Sequence, residues 1–522
     1  MNIIELRRSL LNEAQSSPNL LSDLAGLESY IAESYNNRSF IELLQNADDA
    51  GATKFKIIKN GDFLFIANNG RIFNEQDLES LCRSASSNKV RGETIGYRGI
   101  GFKSVVGFAK EIHILSGDYE ITFSKERTKS EIPNATRVPL IRVPHSLYNE
   151  TKELLSPITN NLLNENFTTI FVFSGVTAQE IHLEFDSFDT TSLMFLRNIS
   201  KTEFYTSEIR QTKISKEKVS DSEIKLIINN DGNYSEWQLY TSNNCTIAYS
   251  LKDGKIQKMS DTKSLVYAFL PTVNISGLGV LINGDFSTDP SRKHIIFDDR
   301  SNETIKHCSS LILNIIEEKI ANYNSENYDI INALIPFSDP RILQFKKTSF
   351  DKLLIEGLKN ENSKIFYKLR LCPNWLNASD YTNLLKKNGK FSINGKYLSI
   401  DGFVSLAKFL GAKEDNFLEM LKFLDTSLLS TLGCAQFVVQ IFKGVISGSL
   451  KPDNTILGHK LFIVKEHKYS LTDLKANELK IDENFISLMV ENGLTEFEIK
   501  TVFKQCKIQV VNATLLFFKF LF

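Results

Sequence analysis

Three polar side chains stand at helical spacing in residues 39–51, where Glu42, Asn46 and Asp49 occupy positions i, i+4 and i+7. Residues at this spacing share one face of a helix, and the apolar residues between them can face a core. A carboxylate can activate a water molecule, and a neutral amide oxygen can help to coordinate Mg²⁺. This helix alone is equally compatible with a hydrolytic magnesium site and with an ordinary solvated polar face.

A glycine-rich segment follows about 50 residues later, with Gly96, Gly99 and Gly101 in the arrangement Gly-x-x-Gly-x-Gly. Its backbone can approach phosphate groups closely, and the N-terminus of the helix expected after it adds roughly half a positive charge. The spacing matches neither a Walker loop nor a Rossmann fingerprint. Between the two segments, Asn68 ends a strand-like run where its amide could meet a nucleobase, and residues 84–89 predict a mobile flap or a solvated loop.

The elements that would position these residues alternate between helices and strands. Residues 1–39 and 40–50 have apolar positions at helical spacing, and Asn60-Gly61 predicts the turn of a hairpin. A further helix is expected at residues 102–109, with strands at 54–58, 63–67, 111–115, 119–123 and 168–173. This order predicts an α+β layer sandwich and not a regular βαβ repeat.

The later parts of the chain differ from this beginning. Strand signals dominate from about residue 180 to 300, and the pattern becomes mainly helical from about residue 305. A chain of 522 residues is too long for one hydrophobic core. We therefore expect three regions, which are residues 1–180, 181–305 and 306–522.

The composition is that of an ordinary globular protein, with 42% hydrophobic and 24% charged residues. A net charge of −1 supplies no global basic field that would drive nucleic-acid binding, so nucleic acid is not an expected partner, and only local binding stays open. The six cysteines lie far apart, which favours reduced thiols in a cytoplasmic protein over a disulfide framework. The apolar runs are too short for a membrane span, so no membrane partner is expected.

Taken in order, these motifs resemble those of the GHKL ATPases, the group of gyrase B, Hsp90, histidine kinases and MutL. Glu42, Asn46, Asp49 and Ala50 match the helix motif Glu-x-x-x-Asn-x-x-Asp-Ala, and the three glycines match the glycine box. The amino-acid sequences of both segments are most similar to those of the sacsin-type, Hsp90-like branch. Residues 269–271, 281–286 and 291–292 also resemble that branch, so the likeness covers roughly residues 1–300.

The resemblance implies a Bergerat-type two-layer sandwich as the nucleotide domain, then a mixed α/β transducer domain and a mainly helical C-terminal region. Glu42 would be the general base that orients the attacking water, and Asn46 would be the Mg²⁺ ligand. A basic residue of the second domain, Arg292 or Lys293, would reach the γ-phosphate. The other implied ATP contacts are Asp49, Asn68, Gly70, Lys89, Gly96, Gly99, Ile100, Gly101, Phe102, Lys103 and Thr169 (or Thr168).

One motif departs from the family pattern. Residues 68–72 are Asn-Asn-Gly-Arg-Ile where the family usually has Asp-x-Gly-x-Gly. An aspartate accepts from the adenine amino group in a charge-assisted bond, roughly twice as strong as a neutral one. Asn68 can still accept from that group, and its amide could flip to suit guanine. We therefore expect weaker ATP binding and less secure discrimination against GTP.

The resemblance predicts Mg-dependent ATP binding and slow hydrolysis that drives a conformational clamp, chaperone-like or linked to an effector, with bacterial defence as one setting. The alternative is a nucleotide-sensing scaffold with little turnover, whose C-terminal helices bind a partner protein. A homodimer is compatible with both. An intact Glu42 favours the enzyme, and the altered Asn68 slightly favours the scaffold. Histidine-kinase activity is set aside, because the first histidine, His113, follows both the helix motif at Glu42 and the glycine box that ends at Gly101.

Overall fold

The structure is a computed structural model that divides into two compact units. Unit 1 comprises residues 1–312 and 348–354, and unit 2 comprises residues 313–347 and 355–522. The residues that the structure describes are 3–34, 39–83, 101–186, 188, 190–206, 209–242, 245–289, 292–320, 324–361, 364–387, 391–392, 397–452, 454–477 and 479–506.

Unit 1 is built on one mixed β-sheet, to which the described chain contributes fifteen strands. They are β1 (Lys54–Asn60), β2 (Phe63–Asn68), β3 (Glu111–Ser116), β4 (Tyr119–Ser124), β5 (His145–Ser146), β6 (Thr169–Ser174), β7 (Lys201–Tyr205), β8 (Ile209–Lys218), β9 (Glu223–Asn230), β10 (Asn233–Ser242), β11 (Cys245–Lys252), β12 (Lys255–Gln257), β13 (Leu265–Ala268), β14 (Leu270–Ile275) and β15 (Leu281–Asn283). Their order is β14-β13-β15-β11-β10-β9-β8-β7-β1-β2-β6-β3-β4-β5, and β12 pairs with β11. One sheet thus extends across the predicted boundary at residue 180, and the division into three regions stays a prediction.

Eight α-helices lie within the described part of residues 1–320, and the last of them continues into unit 2. They are α1 (Ile3–Ser16), α2 (Pro18–Ser34), α3 (Ser39–Asp49), α4 (Glu75–Cys82), α5 (Lys125–Glu131), α6 (Asn149–Asn164), α7 (Ala178–Asp186) and α8 (Asp299–Ile320), with a 3₁₀ helix at Gly101–Gly107. The single helix expected over residues 1–39 is broken, because Pro18 begins a new helix and proline is favoured at a first helical position. The helix expected at 102–109 is the 3₁₀ helix.

The hydrophobic cores follow the alternation of side chains along β2. Leu64 and Ile66 belong to the main core with α1, α3 and the 3₁₀ helix, whereas Phe65 and Ala67 face the core that includes α6. The predicted hairpin is confirmed, since β1 and β2 pair antiparallel. Its turn residues are Gly61 and Asp62, one position later than expected, and Gly61 supplies a positive φ of 56°.

Unit 2 is mainly helical. Its further helices are α9 (Ser325–Leu334), α10 (Pro340–Leu343), α11 (Phe350–Asn360, which begins in unit 1), α12 (Lys364–Lys368), α13 (Ala378–Lys387), α14 (Phe403–Phe409), α15 (Phe417–Lys422), α16 (Thr431–Ile446), α17 (Asn454–Leu457), α18 (Leu471–Asn477), α19 (Glu483–Glu491) and α20 (Glu496–Gln505). Short strands accompany them as a parallel trio β16 (Leu369–Leu371), β17 (Phe391–Ser392) and β18 (Lys413–Glu414), and as a hairpin of β19 (Phe462–Val464) and β20 (His467–Tyr469). The buried α16 lies at the centre of its core and packs against α19 and α20.

The predicted α+β class with a helical C-terminal region is confirmed by these elements. Along the described helices, no stretch combines the length and the apolar composition that a membrane span requires.

One buried histidine gives unit 1 a pH dependence. His145 of β5 is 2% exposed, with Nε2 3.0 Å from Oγ1 of Thr128 and Nδ1 3.3 Å from Oε1 of Glu131. Burial lowers the pKa of His145 from 6.5 to about 4, and nearby arginines act in the same direction. Between these two values the unfolded chain binds a proton that the folded chain does not. The stabilising contribution is therefore complete above pH 6.5 and is lost as the pH falls through 4.

We expect His145 to reduce the free energy of unfolding by up to about 3 kcal/mol over this range. Denaturant unfolding at several pH values, followed by Trp237 fluorescence in a Trp375→Phe background, would measure it, since the chain has two tryptophans. His145→Gln is expected to flatten the decline, whereas His294→Gln, at an exposed histidine of the same unit, is expected to preserve it. Equal declines in wild type and His145→Gln would contradict the prediction.

Candidate functional site

Helix α3 carries the candidate catalytic residues and is bound by buried carboxylates at both ends. Near its start, Glu184 of α7 accepts a hydrogen bond from the backbone N–H of Phe40 (3.1 Å). Near its end, the fully buried carboxylate of Asp48 accepts the backbone N–H groups of residues 197–199 at 2.8–3.0 Å. Unpaired buried N–H groups are costly, so these bonds fix α3 against the segment that leads into β7.

Glu42 lies in the interior of unit 1, because only 2% of its surface is exposed. The solvated-face alternative therefore does not describe it. Arg292, 9% exposed, places Nε 3.2 Å from Oε1 of Glu42, and its Nη1 donates to Oε1 of Gln45. Within the described chain, Oε1 of Glu42 has no aligned hydrogen-bond donor, and Nε2 of Gln45 has no acceptor. The guanidinium thus holds the Glu42 carboxylate by charge and not by an aligned hydrogen bond.

Asn46 and Asp49 lie further along α3 and are half-buried. Asn46 stands one turn after Glu42, as the spacing predicts. Across the described ranges, no group of three or more His, Cys, Asp or Glu side chains could hold a metal ion. Mg²⁺ keeps several waters and binds substrate phosphates, so a single amide ligand suits it. The Mg²⁺ role of Asn46 stays a prediction.

The turn after β2 is fixed by Asn68, which is 6% exposed. Its Oδ1 accepts the backbone N–H of Gly70 at 3.0 Å, and this Asx turn orients the amide. A flipped amide would point Nδ2 at the same N–H group, donor against donor. The turn therefore fixes the orientation of the amide, and it leaves Nδ2 as the donor for a ligand.

Gly70 brings this turn onto the end of α3. A Cβ at Gly70 would lie 2.8 Å from the carbonyl oxygen of Ala50 and 2.9 Å from its Cβ, closer than side chains tolerate. The N–H of Arg71 donates to the same carbonyl at 2.8 Å. Packing alone thus requires glycine here, and it ties the turn to the helix that carries Glu42.

Both candidate threonines lie beside Asn68. Thr169 of β6 pairs with Asn68 of β2 in the sheet, and its Oγ1 lies 2.6 Å from Oγ of Ser116. Thr168 donates from Oγ1 to the carbonyl of Gly70 at 2.5 Å and from its N–H to the carbonyl of Asn68 at 2.9 Å. The structure therefore brings together Asn68, Gly70 and Thr169, three of the implied nucleotide contacts.

The predicted phosphate cradle is described only from Gly101, where the 3₁₀ helix begins. Phe102 is a core residue, 8% exposed, with its ring centroid 5.1 Å from that of Phe171. Lys103 is 3% exposed, and burial lowers the pKa of its ammonium, although the nearby Glu28 opposes this shift. The remaining cradle residues lie outside the described part of the chain, and these are Lys89, Gly96, Gly99 and Ile100.

Sequence reasoning missed two polar residues of α3. Asp48 follows Leu44 by one turn and lies on the apolar side of the helix, where a carboxylate needs buried donors. A carboxylate on the apolar side of a helix therefore indicated that Asp48 accepts hydrogen bonds from buried groups. Gln45 follows Glu42 by three positions, which places the two side chains side by side. Nothing local in the sequence indicates that Arg292 joins them.

No protein-family model matches this chain, and no curated protein matches it. Among solved structures, it is similar to the crystal structure of the B-subunit of the DNA gyrase from Myxococcus xanthus, at 8% sequence identity and a TM-score of 0.27. The match covers 59% of this chain and 96% of that chain. A similarity at this TM-score does not support an inference about fold or function. The assignment of the fold class therefore rests on the sheet and helices themselves.

Proposed function

We propose that this chain binds Mg-ATP and hydrolyses it slowly as a GHKL-type ATPase. The arrangement along α3 supports this most strongly. Buried Glu42 stands near the start of the helix, and the turn that contains Asn68 and Gly70 packs on Ala50 at its end. Eight positions of helix separate Glu42 from Ala50, about 12 Å along the axis. This span suits an extended nucleotide, with the base at one end and the terminal phosphate at the other.

Each residue has a distinct task in this proposal. Glu42 accepts a proton from the water that attacks the terminal phosphate, as a general base does. Asn46 holds Mg²⁺ through its amide oxygen, and the bound ion would offset phosphate charge. Asp49 follows on the same helix face as a further nucleotide contact. The phosphates would lie against Lys89, Gly96, Gly99, Ile100, Gly101, Phe102 and Lys103.

The second candidate function is a nucleotide-sensing scaffold with little turnover. The contact between Arg292 and Glu42 favours it, because a carboxylate oxygen that lies against a guanidinium is not available to the attacking water. Steady-state phosphate release with Mg-ATP separates the two functions. Turnover that disappears in Glu42→Gln supports the enzyme, and binding without any turnover supports the scaffold.

The biological setting is proposed from the sequence resemblance alone. By that resemblance the chain is a sacsin-type, Hsp90-like protein of the cytoplasm, and its hydrolysis drives a chaperone-like or effector-linked clamp. The helical C-terminal region would bind a client or partner, a homodimer would be the assembly, and bacterial defence would be the context. Pull-down of partners by the whole chain, with and without Mg-ATP, tests whether nucleotide controls an interaction.

The base pocket gives a prediction of its own. We expect Asn68→Asp to tighten ATP binding about five- to tenfold, because a carboxylate accepts from the adenine amino group more strongly than an amide does. The second oxygen of the new carboxylate can still accept the hydrogen bond from the backbone N–H of Gly70. GTP binding should weaken, since guanine presents an acceptor at that edge. Titration calorimetry with the Mg complexes of both nucleotides measures this.

The control for this prediction is Asn69→Asp, at the adjacent residue. The side chain of Asn69 bonds Thr53 and Lys54 at the start of β1 and belongs to the hairpin, so its change should leave the ratio of ATP to GTP affinity unaltered. If Asn68→Asp fails to change that ratio, the base does not sit at this turn.

A further inference from the structure

Arg292 is presented to α3 by a constrained turn between β15 and α8. Its φ of 56° lies in the left-handed region, which an arginine adopts only at a cost in free energy. The N–H of Arg292 donates to the carbonyl of Asp289 at 3.0 Å, and the carboxylate of Asp289 accepts the N–H of Lys293 at 3.0 Å. The turn therefore directs this side chain inward at the expense of an unfavourable backbone conformation.

The guanidinium reaches two neighbouring side chains of one helix face. It contacts the carboxylate of Glu42 and donates to the amide oxygen of Gln45, and all three residues are at least nine-tenths buried. Oε1 of Glu42 and Nε2 of Gln45 are both buried without a hydrogen bond in the described structure. Buried polar atoms are rarely left unsatisfied, so this arrangement suits a site that exchanges partners better than a permanent bridge.

We propose that Arg292 is a latch, paired with Glu42 until a terminal phosphate takes the guanidinium, and that this exchange makes the site prefer nucleoside triphosphates to diphosphates. The inference rests on the proposed ATP site. A phosphate offers the guanidinium bidentate, charge-assisted bonds, which the unaligned contact with Glu42 does not. Release of Glu42 then frees its carboxylate for water. In this account Arg292 is a positioning residue for Glu42.

The latch predicts an unusual binding pattern. ATP must displace Glu42 from Arg292, whereas ADP, which lacks the terminal phosphate, leaves the pair intact. Neutralising the competitor in Glu42→Gln should therefore tighten binding of a non-hydrolysable ATP analogue about tenfold and leave ADP binding unchanged. The tightening should vanish when Arg292→Met is added, because no guanidinium is then released.

Titration calorimetry of wild type, Glu42→Gln, Arg292→Met and the double variant, with the Mg complexes of AMP-PNP and ADP, tests this. Tightening that persists in the double variant would show general repulsion between Glu42 and phosphate, and it would overturn the latch. Lys293→Met is the matched control, because Lys293 is the exposed neighbour of Arg292 in the same turn. Loss of triphosphate preference in Lys293→Met, with preference retained in Arg292→Met, would also overturn it.

A second readout needs no nucleotide. Each single variant leaves one buried charge unpaired, so the double variant should be more stable to unfolding than the sum of the single effects predicts. Additive effects would contradict the ion pair. If Arg292→Met does not fold, Arg292→Lys keeps the charge and should preserve part of the triphosphate preference. Wild type that binds neither nucleotide would refute the proposed function, and the unfolding measurements would then decide the ion pair alone.

Discussion

Replacing Glu42 with glutamine is expected to lower the rate of ATP hydrolysis by about 10²–10⁴-fold, the contribution usual for a general base. Glutamine has nearly the same shape but cannot accept the proton of the attacking water. Because Glu42 is buried and contacts Arg292, its removal also changes the electrostatics of the site. Binding of ATP should nevertheless be retained or tightened. Steady-state and single-turnover phosphate release with Mg-ATP provide the measurement.

The matched control is Glu120→Gln, at an exposed glutamate of β4 that pairs with Lys152. Its hydrolysis rate should equal that of the wild type, because exposed ion pairs contribute little. Unchanged hydrolysis in Glu42→Gln would remove Glu42 from the mechanism. If neither protein hydrolyses ATP, the scaffold is the better account of any nucleotide binding.

The largest stability effect is expected for Asp48→Ala. The change removes the acceptor of three backbone N–H groups in residues 197–199, of which that of Ile199 is buried and the other two are part-buried. A buried group costs about 1–3 kcal/mol when unsatisfied, and a part-buried group costs less because water can reach it. Because the three donors share one carboxylate, the costs will not simply add. We expect a loss of about 3–5 kcal/mol in the free energy of unfolding of unit 1. Denaturant unfolding followed by Trp237 fluorescence in the Trp375→Phe background measures it.

Two further variants serve as comparisons for the stability loss expected in Asp48→Ala. Asp48→Asn keeps one carbonyl oxygen, so it should lose less stability than Asp48→Ala. Asp221→Ala removes an aspartate whose side chain is fully exposed, and it should change stability by less than about 1 kcal/mol. A loss in Asp48→Ala no greater than that in Asp221→Ala would mean that these backbone groups find other partners.

Local signals were enough to predict five strands before residue 175, which are β1, β2, β3, β4 and β6. The Asn60-Gly61 signal and the alternation on either side of it gave the hairpin with an error of one residue. β8 was missed because most of its side chains are exposed and polar, so its alternation of buried and exposed positions is weak. The parallel pairing of β1 with β7 could not be foreseen either, since about 150 residues separate the two strands and no local pattern encodes a partner so distant.

The site shows the same division between local and distant information. Helical spacing placed Glu42 and Asn46 one turn apart on α3. The position of Asn68 beside Thr169 comes from the antiparallel pairing of β2 with β6, about 100 residues later in the chain, which the sequence did not predict. The family motif includes Asp49 and not Asp48. It is Asp48, however, whose carboxylate accepts the backbone hydrogen bonds from residues 197–199. Arg292 was chosen from the resemblance as a phosphate contact, and its approach to Glu42 depends on a turn 250 positions further along the chain.

The position of β1 has a consequence for any attempt to isolate the nucleotide-binding part. Residues 54–58 pair with β7 along one side, although all the residues proposed to bind nucleotide except Arg292 precede residue 175. A fragment that ends at residue 180 would lack β7, so β1 would become an exposed edge strand. Its unpaired backbone groups could pair with strands of other molecules and promote aggregation. Poor solubility of such a fragment would reflect a missing neighbour in the sheet and would carry no information about the proposed ATP site.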